Sequence, residues 1–141
     1  MLFAQLHPLV VHFPVALLVS GVVFEFYGTL QKEETALAAG HFNIRLGLAC
    51  ALLAGVVGLA ALLTGIEMKD SAKLFAGYHL TAAIATLLLF SAAVGVSRWR
   101  GTRAGTRMIY LALILLGLFA VLSTGYFGGE LVHRFGTATL Q

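Results

Sequence analysis

Long apolar stretches separated by short polar ones make up nearly the whole chain, with no period-2 alternation of the kind a half-buried strand would show. Four stretches, at about 6–30, 40–66, 77–96 and 108–132, have the length of roughly 20 residues that a helix needs to cross a bilayer. The polar connections between them are short, so each helix is expected to run antiparallel to the one before it. The pattern predicts an all-α integral membrane protein, an antiparallel four-helix bundle forming a single membrane domain over residues 1–141. The first segment is not preceded by the basic region and small-residue cleavage site of a signal peptide, and is taken as a mature helix.

Composition supports the membrane assignment. Of 141 residues, 60% are hydrophobic and 11% charged, and a soluble domain carries about twice that charged fraction. The net charge of +3 comes mostly from Lys32, Arg98, Arg100, Arg103 and Arg107, beside the loops after the first and third helices, with Arg45 one turn further in. By the positive-inside rule these loops face the cytoplasm and both termini lie on the opposite side of a bacterial cytoplasmic membrane. Such clustering argues for membrane orientation and anionic headgroups, with Trp99 in the interfacial belt, rather than for nucleic acid. The single cysteine, Cys50, excludes an intrachain disulfide and a Cys-x-x-Cys haem-attachment motif.

Histidine is the candidate chemistry. The topology places His7, His12, His79 and His133 at one face and His41 alone at the other. Pro14 removes the donor that would meet the carbonyl of Val10, so a loosened turn is expected around His12. An imidazole in lipid is costly unless paired or ligated, so His12 is expected to point inward, whereas His7 is expected to be solvated at the interface. His79 stands at a similar depth and is followed by small residues, Ala82, Ala83 and Ala85. Bis-imidazole ligation of a haem needs two histidines on different helices with room for the macrocycle, and His12 with His79 is the first choice. His133 is the reserve ligand, or the third member of a copper or zinc site.

Glu130 stands where a carboxylate would orient a ligating imidazole, unless Arg134 takes it. Gly125, Gly128 and Gly129 either tighten helix packing or clear space there, as Gly47, Ala51 and Gly55 do on the second helix. Toward the other face, Glu25 and Arg45 lie at similar distances from the ends of neighbouring helices and are expected to form a structural ion pair, a proton relay being the alternative. His41 is near in depth and is expected to be solvated.

Three features then resemble a known family: Leu6-His7-Pro8-Leu9-Val10-Val11-His12-Phe13-Pro14, the acidic Glu25 late in the first helix, and the closing Gly125-Tyr126-Phe127-Gly128-Gly129-Glu130-Leu131-Val132. They are similar to the bacterial four-helix membrane family designated domain of unknown function 2231. His79 matches a histidine at the start of that family's third helix, and Glu67 stands near an aspartate found after the second. The chain departs in having His133 where an aromatic is frequent. The resemblance implies the four-helix topology and no established reaction. Relatives fused to, or encoded beside, c-type cytochromes imply membrane electron transfer.

Together these readings predict a b-type haem protein that passes electrons between a c-type cytochrome or other redox subunit and quinone, as an oligomer or complex subunit rather than a stand-alone enzyme. His12 and His79 would be axial ligands, with His133, His7 and Glu130 in support. The alternatives are a non-redox structural subunit of a larger membrane complex and an outer-facing copper or zinc site.

Overall fold

The structure is a computed structural model that describes residues 9–63, 70–98 and 104–136. His7, Glu67, Trp99, Arg100 and Arg103 lie outside the described residues. Four long helices account for nearly everything described: α1 (His12–Gln31), α2 (Glu34–Leu63), α3 (Asp70–Arg98) and α4 (Ala104–His133). All four are long and apolar enough to cross a membrane. Polar residues extend α2, α3 and α4 ahead of the apolar segments that begin at 40, 77 and 108.

The α1–α2 turn shows how. Lys32 takes the left-handed conformation (φ 56°), and the N–H groups of Lys32 and Glu33 both close on the Gly28 carbonyl, which stops α1. Glu33 then caps α2: its Oε2 accepts the Ala36 N–H at 2.6 Å, three residues on. With only Lys32 and Glu33 between the helices, α2 must fold back along α1. At the start of α1, Val11 has right-handed helical angles (φ −66°, ψ −19°) and its carbonyl accepts the Val15 N–H at 3.3 Å, one residue past Pro14.

Small residues bring the paired helices together. On α1, Gly21 faces Ile44 and Gly28 faces Leu37; on α2, Gly40 faces Glu25 and Gly47 faces Leu18. These pairs fix an antiparallel register, to which Asn43 adds a hydrogen bond to Ser20 Oγ (3.1 Å). The α3–α4 pair is antiparallel as well, with Gly117 under the Phe90 ring, Gly128 against His79, and Thr86 Oγ1 3.2 Å from Thr124 Oγ1. The stripe Gly47, Ala51, Gly55 does not act as one surface, since Gly47 packs on α1 while Gly55 faces Leu87 of α3.

The two hairpins meet along α1–α4 and, over a shorter length, α2–α3. Leu18 and Val22 of α1, Ile44 of α2, Phe90 and Ala93 of α3, and Tyr110, Ile114 and Val121 of α4 form the core. Large apolar side chains such as Phe13, Phe42, Leu53, Leu88 and Phe119 cover the outside, as a lipid-facing surface requires. The start of α1 and α3 and the end of α2 and α4 therefore lie at one end of the bundle, and the α1–α2 turn at the other.

Candidate functional site

At the end of the bundle marked by the α1–α2 turn, a polar cluster is built around Glu25, whose side chain is 0% exposed. Gly40 makes the room: a Cβ there would sit 2.8 Å from Glu25 Cγ. Three residues from two other helices converge on the carboxylate. Tyr110 donates to Oε1 at 2.7 Å, His41 Nδ1 lies 3.0 Å from Oε1, and Arg107 Nη2 lies 3.1 Å from Oε2. His41 Nδ1 also lies 2.7 Å from the Leu37 carbonyl. Both atoms facing that nitrogen are acceptors, so Nδ1 carries the hydrogen.

The cluster is held as a unit. The His41 ring stacks on Tyr110 with centroids 5.7 Å apart and planes 14° from parallel, and the Arg107 guanidinium lies 5.5 Å from the Tyr110 ring centre. Thr29 donates to the Glu25 carbonyl (2.6 Å) and accepts from Arg107. The Arg107–Oε2 contact is close in distance but is not an aligned hydrogen bond, so buried Oε2 has no hydrogen-bond partner among the described residues. Arg107 supplies the opposite charge that a buried carboxylate requires.

This corrects the expected Glu25–Arg45 pair. The α1–α2 register sets Glu25 beside Gly40, which puts Arg45 more than a turn farther along, at the level of Ser20, and on an exposed face. The cation comes instead from α4, where Arg107 turns inward rather than serving only as a headgroup anchor. His41, expected to be solvated, is a contact of Glu25, and its side chain is only 22% exposed.

At the opposite end, His79 is the histidine with a defined setting. Its Nδ1 lies 2.9 Å from the Thr124 carbonyl and so donates to it, and its ring packs into the space left by Gly128, where a Cβ would be 3.1 Å from Cε1. Phe75, Tyr78, Phe127 and Phe135 form an aromatic group beyond it, with Arg134 5.4 Å from the Phe75 ring centre.

The α1–α4 contacts place His12 level with the neighbourhood of Thr124, so His12, His79 and His133 do share one end. They are not brought together. His12 is exposed rather than inward-pointing, because Pro14, Leu18 and Val22 occupy the buried face of α1. His133 is also exposed, and α1 and α3 share no substantial interface among the described residues. Glu130 pairs with Arg134 (3.4 Å) one turn away, the alternative to an imidazole contact. Among the described residues, a Cβ at Gly125 or Gly129 would meet nothing within 4 Å. Among the described residues no three His, Cys, Asp or Glu side chains gather as a metal site would need.

Residues 4–141 match the family of predicted membrane proteins designated DUF2231. The chain belongs to that family. No curated protein and no solved structure gives a match. This DUF2231 protein is therefore multi-pass by both its family and its four candidate spans. The residues that sequence reasoning missed are His41, Arg107 and Tyr110. The available signals were the seven-residue spacing of Gly21 with Gly28 and of Gly40 with Gly47, which brackets Glu25 and adjoins His41, and the one-turn spacing of Arg107 and Tyr110.

Proposed function

We propose that this DUF2231 protein is an electron-transfer subunit of the bacterial cytoplasmic membrane that holds a b-type haem at the His79 end, with both termini on the non-cytoplasmic side. The observation that carries this reading is the setting of His79. Donation of Nδ1–H to a backbone carbonyl fixes the orientation of the imidazole, as it does for an iron-binding histidine. When bound, the haem would supply reversible one-electron chemistry.

Among the residues present, His79 would hold the haem iron. His12 and His133, at the same end, are the candidates for a second ligand, and His7 lies outside the described residues. Because His12 is exposed, a site that includes it would be open to a c-type cytochrome, another redox subunit or quinone. A two-histidine haem asks less of these residues than a copper or zinc centre, which takes three or more ligands.

The exposure of His12 favours a second reading, a non-redox structural subunit in which His79 only satisfies the Thr124 carbonyl. Visible spectra of detergent-purified protein, made with haem supply and reduced by dithionite, separate the two. A Soret band with a sharp reduced α-band, lost in His79→Ala and altered in His12→Ala or His133→Ala, supports haem. A colourless protein without bound copper or zinc leaves the structural reading.

A further inference from the structure

The Glu25 cluster does more than a structural ion pair needs. Arg107 alone compensates the buried charge, and Tyr110 already satisfies Oε1. His41 adds a titratable group to a carboxylate that is already neutralised, while Oε2 keeps acceptor capacity that no hydrogen bond among the described residues uses.

We propose that this cluster is a proton-exchange site in which His41 is the port and Glu25 the buried acceptor. Among the described residues, the groups facing Glu25 are His41 from α2 and Arg107 and Tyr110 from α4; Arg45, further along α2, is exposed. Tyr110 is itself buried, 1% exposed, and a phenol does not titrate near neutral pH. The Arg107 side chain reaches the surface (25% exposed), but a guanidinium does not release protons in proteins. Among the described residues, His41 is the contact of the carboxylate that both reaches the surface and carries an imidazole, whose ring nitrogens can take up and release a proton. It lies two turns from Glu34, on the same side of α2, beside the charged α1–α2 turn of Lys32, Glu33 and Glu34.

The step is a relay across one ring. Hydronium at the interface gives a proton to Nε2, forming an N–H bond there and leaving water. The Nδ1–H bond then breaks and an O–H bond forms at Glu25 Oε1, so the imidazole ends neutral and the proton resides on the carboxyl group. Arg107 holds its charge throughout, and the reverse sequence returns the proton. No electron moves, and the site stands whether or not the protein carries haem.

The test is difference infrared spectroscopy of the protein in lipid nanodiscs between about pH 8 and about pH 5.5, the interval over which histidine titrates. The expected result is a histidine ring band that changes with pH together with a carboxyl or carboxylate band. The first vanishes in His41→Gln and the second in Glu25→Gln, and His41→Gln also abolishes the pH response of the Glu25 band. A Glu25 band that responds to pH unchanged in His41→Gln, or a wild type showing no change at either residue, overturns the proposal. Glu25→Asp, which keeps the carboxylate, covers the case in which Glu25→Gln does not fold; its shifted band must still follow His41.

Discussion

Tyr110 donates its phenolic hydrogen to Glu25 Oε1 across 2.7 Å, and this one contact joins the hairpin of α3 and α4 to the hairpin of α1 and α2 between two side chains removed from the surface. A hydrogen bond to a buried charged acceptor contributes about 1.5–3 kcal/mol. Tyr110→Phe keeps the ring beside His41 and removes only the donor. It is expected to destabilise the bundle by about 2 kcal/mol, read as a lowered midpoint when helix content is followed through detergent-induced unfolding.

Arg107 and Arg45 make a matched pair of tests for where the compensating charge resides. Removing Arg107 leaves a buried carboxylate without its cation, which costs about 3 kcal/mol. Arg45 is exposed and has no part in the cluster, so Arg45→Ala is expected to stay within about 0.5 kcal/mol of the wild type. Equal losses in the two variants, measured by the same unfolding titration, would contradict the α4 assignment.

That pair also shows how far the chain could be read in advance. Four helices were legible because spanning length is a property of each segment by itself. Facing was not, because helices that are apolar around their whole circumference carry no amphipathic phase to say which side turns inward. Glu25 could be identified as a charge needing a partner, but its distance from the helix end suited Arg45 as well as Arg107. Only the glycine contacts, which set Glu25 opposite Gly40, break the tie. For His12 the depth was legible and the direction was not, and it is exposed where an inward side chain was expected. His79 was legible as a position at the start of the third helix, while the Thr124 carbonyl that orients it belongs to a helix 45 residues away.

Close approach at Gly40 gives a packing test. A Cβ there meets Glu25 Cγ at 2.8 Å and the Glu25 backbone nitrogen at 2.9 Å, and the backbone cannot move aside cheaply. Gly40→Ala is expected to cost about 1–3 kcal/mol through overpacking. At Gly125 a Cβ meets nothing within 4 Å among the described residues, so Gly125→Ala is expected to be neutral or to stabilise the helix by up to about 1 kcal/mol. A lowered thermal midpoint for Gly40→Ala beside an unchanged or raised one for Gly125→Ala is the outcome to look for.

The turn between α1 and α2 carries a pH dependence of its own. Acceptance of the Ala36 N–H holds the Glu33 carboxyl below the usual glutamate range, with Thr35 adding to the effect. A depressed folded-state value means that the cap's contribution is fully present above the unfolded value of 4.5 and is lost as the pH falls through the folded one. Acidification below the normal glutamate range should therefore lower the thermal midpoint of the wild type more than that of Glu33→Gln, whose amide has no charge to lose. Parallel slopes for the two proteins would remove Glu33 from the account of acid sensitivity.

At the other end of the bundle, Gly128 controls the seat of His79. A Cβ at this position would stand 3.1 Å from Cε1 and 3.2 Å from Nδ1 of the ring, tighter than ordinary contact, so Gly128→Ala must tilt or shift the imidazole by a few tenths of an ångström. The displaced atom is the same Nδ1 that donates to the Thr124 carbonyl at 2.9 Å, so the substitution strains the bond that sets the tautomer. If His79 only satisfies that carbonyl, the outcome is a loss of about 1 kcal/mol, the net worth of one hydrogen bond, and nothing else. If His79 ligates haem, Gly128→Ala also moves the reduced α-band and the midpoint potential, because that hydrogen bond sets the basicity of the ligating ring. Gly125→Ala, one turn earlier on α4 and clear of the ring, serves as the control and should move neither. A haem-loaded protein whose spectrum and potential ignore Gly128→Ala would take His79 off the iron.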